Sequence, residues 1–392
     1  MTDRDGSPSA TWLQVAALRL DRQHLNERTT PDRLVDVVRE LVGIHAQVMS
    51  SAELQVAARI DGLRASDVRE ALWERRSLAK VWAFRQTLHL LAPEDLVDFV
   101  AASPSLERWH SGAWLRYFGM KEAEVEALIE AVGASLSERP MTRTQLVDAV
   151  TARIGKPALA EAMLTGWGTF LAPAAQRGHL IFGPSEGRNV AFVSPSAWLG
   201  RRVERGAGGA TEADDALGRL VFRYLAAFPG ASREMIARWW GGGRITAISR
   251  AMKRTGDELS EIDVEGTTGW LRRADLPALF AAEPPRGVRL LPGFDPFVNE
   301  LPRRTEALLA VANHDRVHRT AGWVTPVVLV DGRVAGTWEI GGGRNGTVEV
   351  QPFERWRGGI TGGLTSEVDR LAAFLDRTLK ASVAAPLPST DG

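Results

Sequence analysis

Two polar side chains spaced two residues apart, His45 and Gln47, are the first candidates for chemistry in this sequence. They lie in the segment Gly43-Ile44-His45-Ala46-Gln47-Val48-Met49-Ser50-Ser51, between two predicted helices. The amide of a glutamine both donates and accepts hydrogen bonds, so it can hold a water molecule. A histidine with its ordinary pKa of about 6.5 is largely neutral at pH 7 and can take a proton from that water. The pair therefore predicts a site that positions and activates water.

The helix that follows the pair should present its amino-terminal end to the site. Ser50 and Glu53 have the spacing of a capping box, which predicts that helical structure begins there. Unpaired backbone N–H groups and the positive end of the helix dipole would then lie beside His45 and Gln47. The alternative is structural: His45 would satisfy backbone carbonyls at a helix end, and Gln47 would be an ordinary polar turn residue.

Composition excludes several kinds of site. The 392 residues include no cysteine, which rules out disulfides, thiolate nucleophiles and Cys-ligated metals. The seven histidines show no HExxH pattern or His/Asp cluster, so we expect neither a metal nor another cofactor. The amino-terminal residues lack the pattern of a secretory signal, and no apolar run approaches the ~18 residues of a membrane span. We therefore expect a cytoplasmic protein without membrane contact.

The charge balance is neutral overall but locally uneven. Lys and Arg total 48, as do Asp and Glu, giving a formal net charge of zero. Between Arg233 and Arg254, however, six cations accompany one anion, Glu234. Such segregation is compatible with nucleic-acid binding, although the preference for arginine over lysine could also reflect base composition.

Hydrophobic periodicity and turn residues predict an α+β chain in which helices followed by a two-stranded hairpin recur three times. The first unit, 11–100, carries the His45/Gln47 pair, and the next two span 101–205 and 211–283. A β-rich domain with a final helix follows at 286–383. The predicted helices are 12–20, 31–42, 51–60, 66–75, 121–136, 144–154, 159–177, 214–227, 232–240, 245–254 and 366–381. The predicted strands are 78–84, 87–91, 178–182, 189–193, 259–264, 269–273, 288–291, 324–330, 334–340 and 347–352.

Several stretches in a fixed order carry a family resemblance. They are GIHAQ, WAFRQTLHLLAPED, GWGTFLAPAAQRGHLIFGP, FPGASREMIARWW, RLLPGFDPFVNELPR and VLVDGRVAGTW, which lie between Gly43 and Trp338. The resemblance as a whole covers about Trp12 to Phe353. With these landmarks the chain resembles the AlkZ-like winged-helix DNA glycosylases. The resemblance implies three tandem winged helices in a C-shaped arrangement and a basic concave surface for duplex DNA. The β-rich runs after Pro284-Pro285 themselves predict a small C-terminal sheet or barrel with a closing helix.

The resemblance also implies a reaction. Such enzymes hydrolyse the N-glycosidic bond of alkylated purines, above all N7-alkylguanine, and some remove bulky natural-product adducts or unhook interstrand crosslinks, for instance in self-resistance to a genotoxin. Their Gln-x-Gln motif falls on His45-Ala46-Gln47, where His replaces the first Gln. That departure bears on adduct preference more than on the reaction, because histidine can also hold and activate water.

The residues are suited to a lesion that is already activated. N7 alkylation gives guanine a positive charge, so the base leaves without protonation, and the enzyme needs mainly to place water at C1′. No lysine lies in the motif, and the nearest along the chain, Lys80, is on a predicted strand. A Schiff-base lyase step is therefore not expected, and we predict a monofunctional glycosylase that acts as a monomer on duplex DNA bearing alkylated purines.

The remaining candidates are DNA contacts, each of which could equally be a solvated surface residue. They are Ser50, Ser51, Arg85, Thr87, His89, Arg244, Arg303, Arg304 and Arg319. Trp167, Trp239 and Trp240 are more typical of a core, and Asp295 of a structural turn. A non-catalytic winged-helix regulator is the alternative function, and a family member that has lost its activity is a third possibility. A regulator would need no His-x-Gln pair and would usually add a dimerisation segment, which is not evident here.

Overall fold

Two helices, at Trp12–Arg22 and Arg143–Ile154, begin at capping boxes that the sequence supplies. The computed structural model describes residues 8–157, 159–165, 168, 170–241, 245–303, 305–343, 345–356 and 359–386. Thr11 accepts a hydrogen bond from the backbone of Gln14, and the Gln14 side chain accepts one from the Thr11 backbone, which completes a capping box. Thr142 and Gln145 repeat the arrangement.

The α-helices are α1 (Trp12–Arg22), α2 (Leu34–Glu40), α3 (Met49–Ala57), α4 (Ala65–Trp73), α5 (Pro93–Ala102), α6 (Gly112–Phe118), α7 (Glu122–Ser135), α8 (Arg143–Ile154), α9 (Leu159–Thr165), α10 (Ala172–Gln176), α11 (Pro195–Leu199), α12 (Gly209–Ala227), α13 (Arg233–Trp240), α14 (Ile245–Arg254), α15 (Leu276–Ala281), α16 (Pro296–Asn299), α17 (His314–Val317) and α18 (Ile360–Leu375). Among the described residues, none of these helices is long and apolar enough to cross a membrane.

The strands are β1 (Ser9–Ala10), β2 (Ile44–His45), β3 (Ala79–Trp82), β4 (Leu88–Leu91), β5 (Met141–Thr142), β6 (Ile181–Glu186), β7 (Asn189–Val193), β8 (Leu259–Val264), β9 (Thr267–Arg272), β10 (Val288–Leu291), β11 (Val327–Val330), β12 (Arg333–Gly341), β13 (Asn345–Pro352) and β14 (Thr378–Val383). The chain is therefore α+β, as predicted.

The chain divides into two compact units. The first contains the described residues up to Val68, together with Phe222–Ile236 and the chain from Gly256 onward. It includes the sheet β1-β8-β9 and a five-stranded sheet, β10-β11-β12-β13-β14, in which β14 runs parallel to β13. Leu364, Val368 and Leu371 of α18 pack in one apolar cluster with residues of this sheet.

The second unit comprises Arg69–Val221 and Ala237–Thr255. Its strands form the antiparallel hairpin β3–β4 and the sheet β5-β7-β6. An aromatic core stacks Phe84 on Trp239 at a ring-centroid distance of 4.6 Å, and Phe99 and Trp240 pack beside them. The prediction that Trp239 and Trp240 belong to the core is confirmed.

Four sequence predictions about elements are wrong. The capping box at Ser50 and Glu53 does not form, because α3 begins at Met49. Ser66, which the sequence favours as the cap of the next helix, lies inside α4, because that helix begins at Ala65. The single helix 159–177 is two helices, since Gly168 between them has a left-handed φ of 84°. The final helix lies at Ile360–Leu375, and most of the residues predicted to extend it form β14. The sequence patterns do not predict six of the described helices, namely α5, α6, α11, α15, α16 and α17.

Candidate active site

The motif segment leaves α2 through two left-handed residues. Val42 has a φ of 53° and Gly43 a φ of 99°, which turn the chain sharply into strand β2. His45, the second residue of that strand, is only 7% exposed. Gln47, two residues later, is exposed. The segment therefore exposes Gln47 to solvent and leaves only a small part of His45 accessible.

An aromatic ring fixes the plane of the imidazole. The His45 ring stacks on Phe294 with a centroid distance of 4.5 Å and an interplanar angle of 23°. Phe294 is itself buried and has a left-handed φ of 62°, an uncommon conformation for a bulky residue. Strained backbone of this kind persists only where its surroundings hold it, and it is often found at functional sites.

Helix α3 ties the motif to the loop that carries Phe294. The buried Gln55 side chain donates from Nε2 to the carbonyl oxygen of His45 at 3.1 Å and to that of Gly293 at 3.4 Å. The Ser51 hydroxyl also donates to the Gly293 carbonyl. One face of α3 therefore sets the separation between the backbone of His45 and the residue before Phe294.

A buried ion pair anchors the same loop. Asp295 accepts two hydrogen bonds from the Arg59 guanidinium, at 2.8 and 2.9 Å, and both side chains are fully buried. Asp295 also accepts from the backbone N–H of Phe297, capping α16. The interpretation of Asp295 as a structural acid is therefore consistent with its partners, all of which belong to the scaffold of the loop.

A second loop adds a tryptophan to the cluster. Trp323 packs edge-on against Phe294, with a centroid distance of 4.9 Å and an interplanar angle of 75°, and is 46% exposed. The loop closes through a bridge between His318 and Val324, and the backbone N–H of Arg319 donates to the Trp323 carbonyl at 2.8 Å. Arg319, one of the predicted DNA contacts, is exposed on this loop.

The predicted serine contacts have different environments. Ser50 is exposed in the first turn of α3, where it does not serve as a cap. Ser51 is half-buried and its hydroxyl is already donated to Gly293. Contact of either residue with DNA remains a prediction, and Ser51 has in addition a structural role that the sequence did not indicate.

The candidates around Arg85 belong to the second unit. Arg85 is half-buried between β3 and β4 and has a left-handed φ of 54°. Thr87 donates its hydroxyl to the Phe84 carbonyl at 3.1 Å. His89 is 3% exposed, donates from Nδ1 to the Thr87 carbonyl at 3.0 Å and meets Phe84 edge-on. Burial of this degree argues against a direct contact of His89 with DNA.

Of the three remaining arginine candidates, the structure describes only Arg303. Arg303 is exposed on the chain after α16. Arg244 and Arg304 lie outside the described residues, as does Trp167. The structure thus brings together His45, Phe294, Trp323 and the loop of Arg319, and it gives no such grouping for Arg303.

Much of the local excess of arginine is neutralised by acids distant in sequence. Arg250 pairs with Asp214 and Arg254 with Asp215. Glu107 forms ion pairs with both Arg177 and Arg205. Burial raises the pKa of the Glu107 carboxyl, but the charges and hydrogen bonds of the two arginines lower it by more, so the net shift is downward. The density of arginine along the sequence therefore overstates the positive surface available for phosphate.

His110 completes this cluster in the second unit. Burial lowers its pKa, but hydrogen bonds to Glu107 and Glu122 and the charge of Glu126 raise it by more, so the net shift is upward. In the described part of the chain, no three His, Asp or Glu side chains are grouped as metal ligands.

Sequence reasoning missed the residues that hold His45, namely Phe294, Gln55 and Arg59, and also Trp323. Phe294 lies in the landmark stretch RLLPGFDPFVNELPR, which was the only signal of its importance. Nothing local in the sequence connects it to His45, which lies far earlier in the chain.

Comparisons with known proteins agree with the predicted family. A model of the DNA glycosylase AlkZ-like family matches residues 38–374. The interstrand DNA cross-link repair glycosylase of Streptomyces sahachiroi is 36% identical over an alignment of 339 residues, which covers 84% of this chain and 88% of that protein. The solved structure of Streptomyces sahachiroi DNA glycosylase AlkZ matches with a TM-score of 0.86 and 33% identity, covering 96% of this chain and 100% of the other. The chain therefore belongs to the AlkZ-like family and is a DNA glycosylase.

Proposed function

We propose that this glycosylase is monofunctional and hydrolyses the N-glycosidic bond of cationic N7-alkylguanine in duplex DNA, with His45 and Gln47 positioning and activating the water. The observation that carries the proposal is the contrast within the motif. Gln47 is exposed to solvent, whereas His45 is held by a ring stack and a fixed backbone and is only 7% exposed.

The division of labour follows from the side chains. The Gln47 amide can donate to and accept from one water, which orients the water toward C1′. The His45 imidazole can accept the proton that the water loses as the bond to C1′ forms. General-base help of this kind contributes roughly 10²–10⁴-fold in rate. That range suits a lesion whose positive charge already makes the base a good leaving group.

The substrate range extends to bulky adducts in this proposal. The Streptomyces sahachiroi relative is named for repair of interstrand crosslinks, a class of lesion larger than a methyl group. Attack by water also leaves an abasic site and no covalent enzyme intermediate. The absence of lysine from the motif supports that outcome, since Lys80 is the nearest along the chain.

We also propose that the duplex is held by three winged-helix units, 11–100, 101–205 and 211–283, together with the C-terminal domain 286–383. Each of the three has helices followed by an antiparallel hairpin, and the hairpins are β3–β4, β6–β7 and β8–β9. Exposed arginines such as Arg303 and Arg319 would contact phosphates and fix the register of the protein on DNA.

The test is release of N7-methylguanine from duplex DNA under single-turnover conditions, comparing wild type with His45→Ala and Gln47→Ala. We expect each variant to lower the rate constant by about 10²-fold or more, within the range for general-base catalysis. His314→Ala is the matched control, because it removes another partly exposed histidine from the same unit.

Two further measurements make the result interpretable. Unmodified duplex binding should stay within about twofold of wild type in both variants, which separates chemistry from affinity. Release at the wild-type rate by both variants would refute the assigned roles. Failure of the wild type on N7-methylguanine and on a bulky N7 adduct, with duplex binding intact, would refute the substrate class.

A further inference from the structure

Trp323 is an exposed aromatic side chain beside the motif. Of the tryptophans in the described part of the chain, it is the one left exposed, at 46%. Leaving about half of such a side chain in water forgoes part of the free energy that its full burial would provide. A large aromatic surface kept open at this place is therefore suited to contact with a ligand.

The packing of Trp323 leaves part of its ring system open. Its contact with Phe294 is edge-to-face, with an interplanar angle of 75°, so Phe294 covers at most one face of the indole. A Cβ atom placed on the neighbouring Gly322 would meet nothing within 4 Å, which shows open space at the tip of the loop. The tip of the loop beside Trp323 is therefore open, in keeping with the 46% exposure of the side chain.

The loop holds Trp323 in a defined place. Ala321 and Gly322 have left-handed φ values of 58° and 74°, which close a tight turn. The loop also approaches the Phe294 loop closely, since a Cβ on Gly293 would come within 2.9 Å of the Val324 carbonyl oxygen. The indole is thus positioned before any ligand binds, which lowers the entropic cost of stacking.

We propose that Trp323 forms an aromatic subsite that stacks on a planar aromatic substituent carried by the alkylated guanine. The inference rests on the proposed function and names the adduct class that this site prefers. Two successive ring contacts, of 4.5 and 4.9 Å, separate Trp323 from His45 through Phe294. A group attached to N7 belongs to the same base as the bond to be cleaved, so a base bound at His45 would carry that group close to Trp323.

The positive charge of Arg319 favours placement of the Trp323 loop against DNA. Arg319 is exposed four residues before Trp323 on the same loop and can contact the phosphate backbone. Such a contact would fix the loop against the duplex, whereas the stack would add preference for one kind of adduct. Stacking on an aromatic side chain does not depend on base sequence, so the subsite selects adduct chemistry and not sequence context.

The experiment compares two duplexes that differ only at N7 of one guanine, which carries either a methyl or a naphthylmethyl group. Wild type, Trp323→Ala, Trp323→Phe and Trp323→Leu are assayed for kcat/KM on both. We expect Trp323→Ala and Trp323→Leu to lose about tenfold on the naphthylmethyl duplex, in keeping with the loss of a base stack. On the methyl duplex the loss should stay within about twofold, and Trp323→Phe should retain most of the preference.

Binding to the same adducts provides a readout that does not need turnover. A 2′-fluoro substituent on the adducted nucleotide blocks departure of the base, so Kd can be measured for both duplexes. Wild type should prefer the naphthylmethyl duplex by about tenfold, and Trp323→Ala should lose that preference. Phe280→Ala is the matched control, because Phe280 is 41% exposed in the same unit and lies on α15.

The outcomes separate the two proposals. Equal losses on both duplexes, or full preference in the leucine variant, would overturn the aromatic subsite and indicate a structural role or contact with an ordinary base. Wild type that releases neither adduct would refute the proposed substrate class, whereas the binding preference and its loss in Trp323→Ala would still decide the subsite.

Discussion

The Arg59–Asp295 ion pair gives the sharpest energetic prediction. Asp295→Asn keeps the size of the side chain and its capping oxygen but removes the charge that compensates Arg59. Both side chains are fully buried, and the two hydrogen bonds between them measure 2.8 and 2.9 Å. The guanidinium would retain hydrogen bonds to the Gln55 carbonyl and to Gln23 but would be left as a buried charge without its counterion.

The expected magnitude follows from that burial. Removing one partner of a buried ion pair typically costs about 3–5 kcal/mol, because the remaining charge stays out of water. The total stability of a typical protein is only about 5–15 kcal/mol, so the loss is a large fraction of it. With a urea dependence of about 1–3 kcal/mol per molar, the unfolding midpoint of the first unit should fall by at least about 1 M.

The assay is urea unfolding followed by circular dichroism, with Asp61→Asn as the control. Asp61 pairs with Arg370 at the surface, and their side chains are 49% and 45% exposed. Exposed pairs contribute about 0–1 kcal/mol, so this control should move the midpoint only slightly. A midpoint for Asp295→Asn no lower than that of Asp61→Asn would refute the argument that the pair anchors the Phe294 loop.

Two further predictions concern Gln55 and His110. Gln55→Leu removes the donor shared by the His45 and Gly293 carbonyls, so we expect kcat to fall about tenfold with KM within about twofold. The control is Gln351→Leu, which removes an amide that donates to the Ala385 carbonyl. An effect of Gln55→Leu on KM alone would contradict the positioning role. Because the folded-state pKa of His110 is raised, its stabilisation is complete below its ordinary pKa of about 6.5 and is lost as pH rises through the raised value. The difference in urea midpoint between wild type and His110→Gln should therefore shrink from pH 6 to pH 9, and a difference that grows with pH would contradict the assigned shift.

Turn residues made the hairpins predictable from sequence. Glu265-Gly266 and Asp331-Gly332 both adopt left-handed φ values between antiparallel strands, as their composition indicates. Such turns are decided by the conformational freedom of two residues, so no distant contact is needed to infer them. The hairpins around these turns are correspondingly close to prediction.

Elements decided by distant contacts were predicted poorly. Gly168 breaks the expected helix 159–177 where a Cβ atom would come within 2.5 Å of the Trp82 ring, a constraint invisible to helical periodicity. Strand β14 exists because it pairs in parallel with β13, after Asp376 ends α18 in a left-handed conformation. Local propensity cannot report either contact, because each joins residues far apart in the chain.

The candidate site shows the same division between local and distant information. The His45 and Gln47 pair was visible as two polar residues on a non-helical segment, but the residues that orient His45 come from α3 and from loops near the other end of the chain. Charge density between Arg233 and Arg254 was misleading for the same reason, since Asp214 and Asp215, distant in sequence, neutralise Arg250 and Arg254.

This pattern bears on how specificity could vary within such a fold. The groups proposed to act on water lie on one short segment, whereas the aromatic surface proposed to meet the adduct lies on a separate loop, His318–Val324. Phe294 is the physical link, because it stacks on His45 and also packs against Trp323. Changes at Trp323 can therefore alter adduct preference while the stack on His45 stays in place, whereas changes at Phe294 should affect preference and catalysis together.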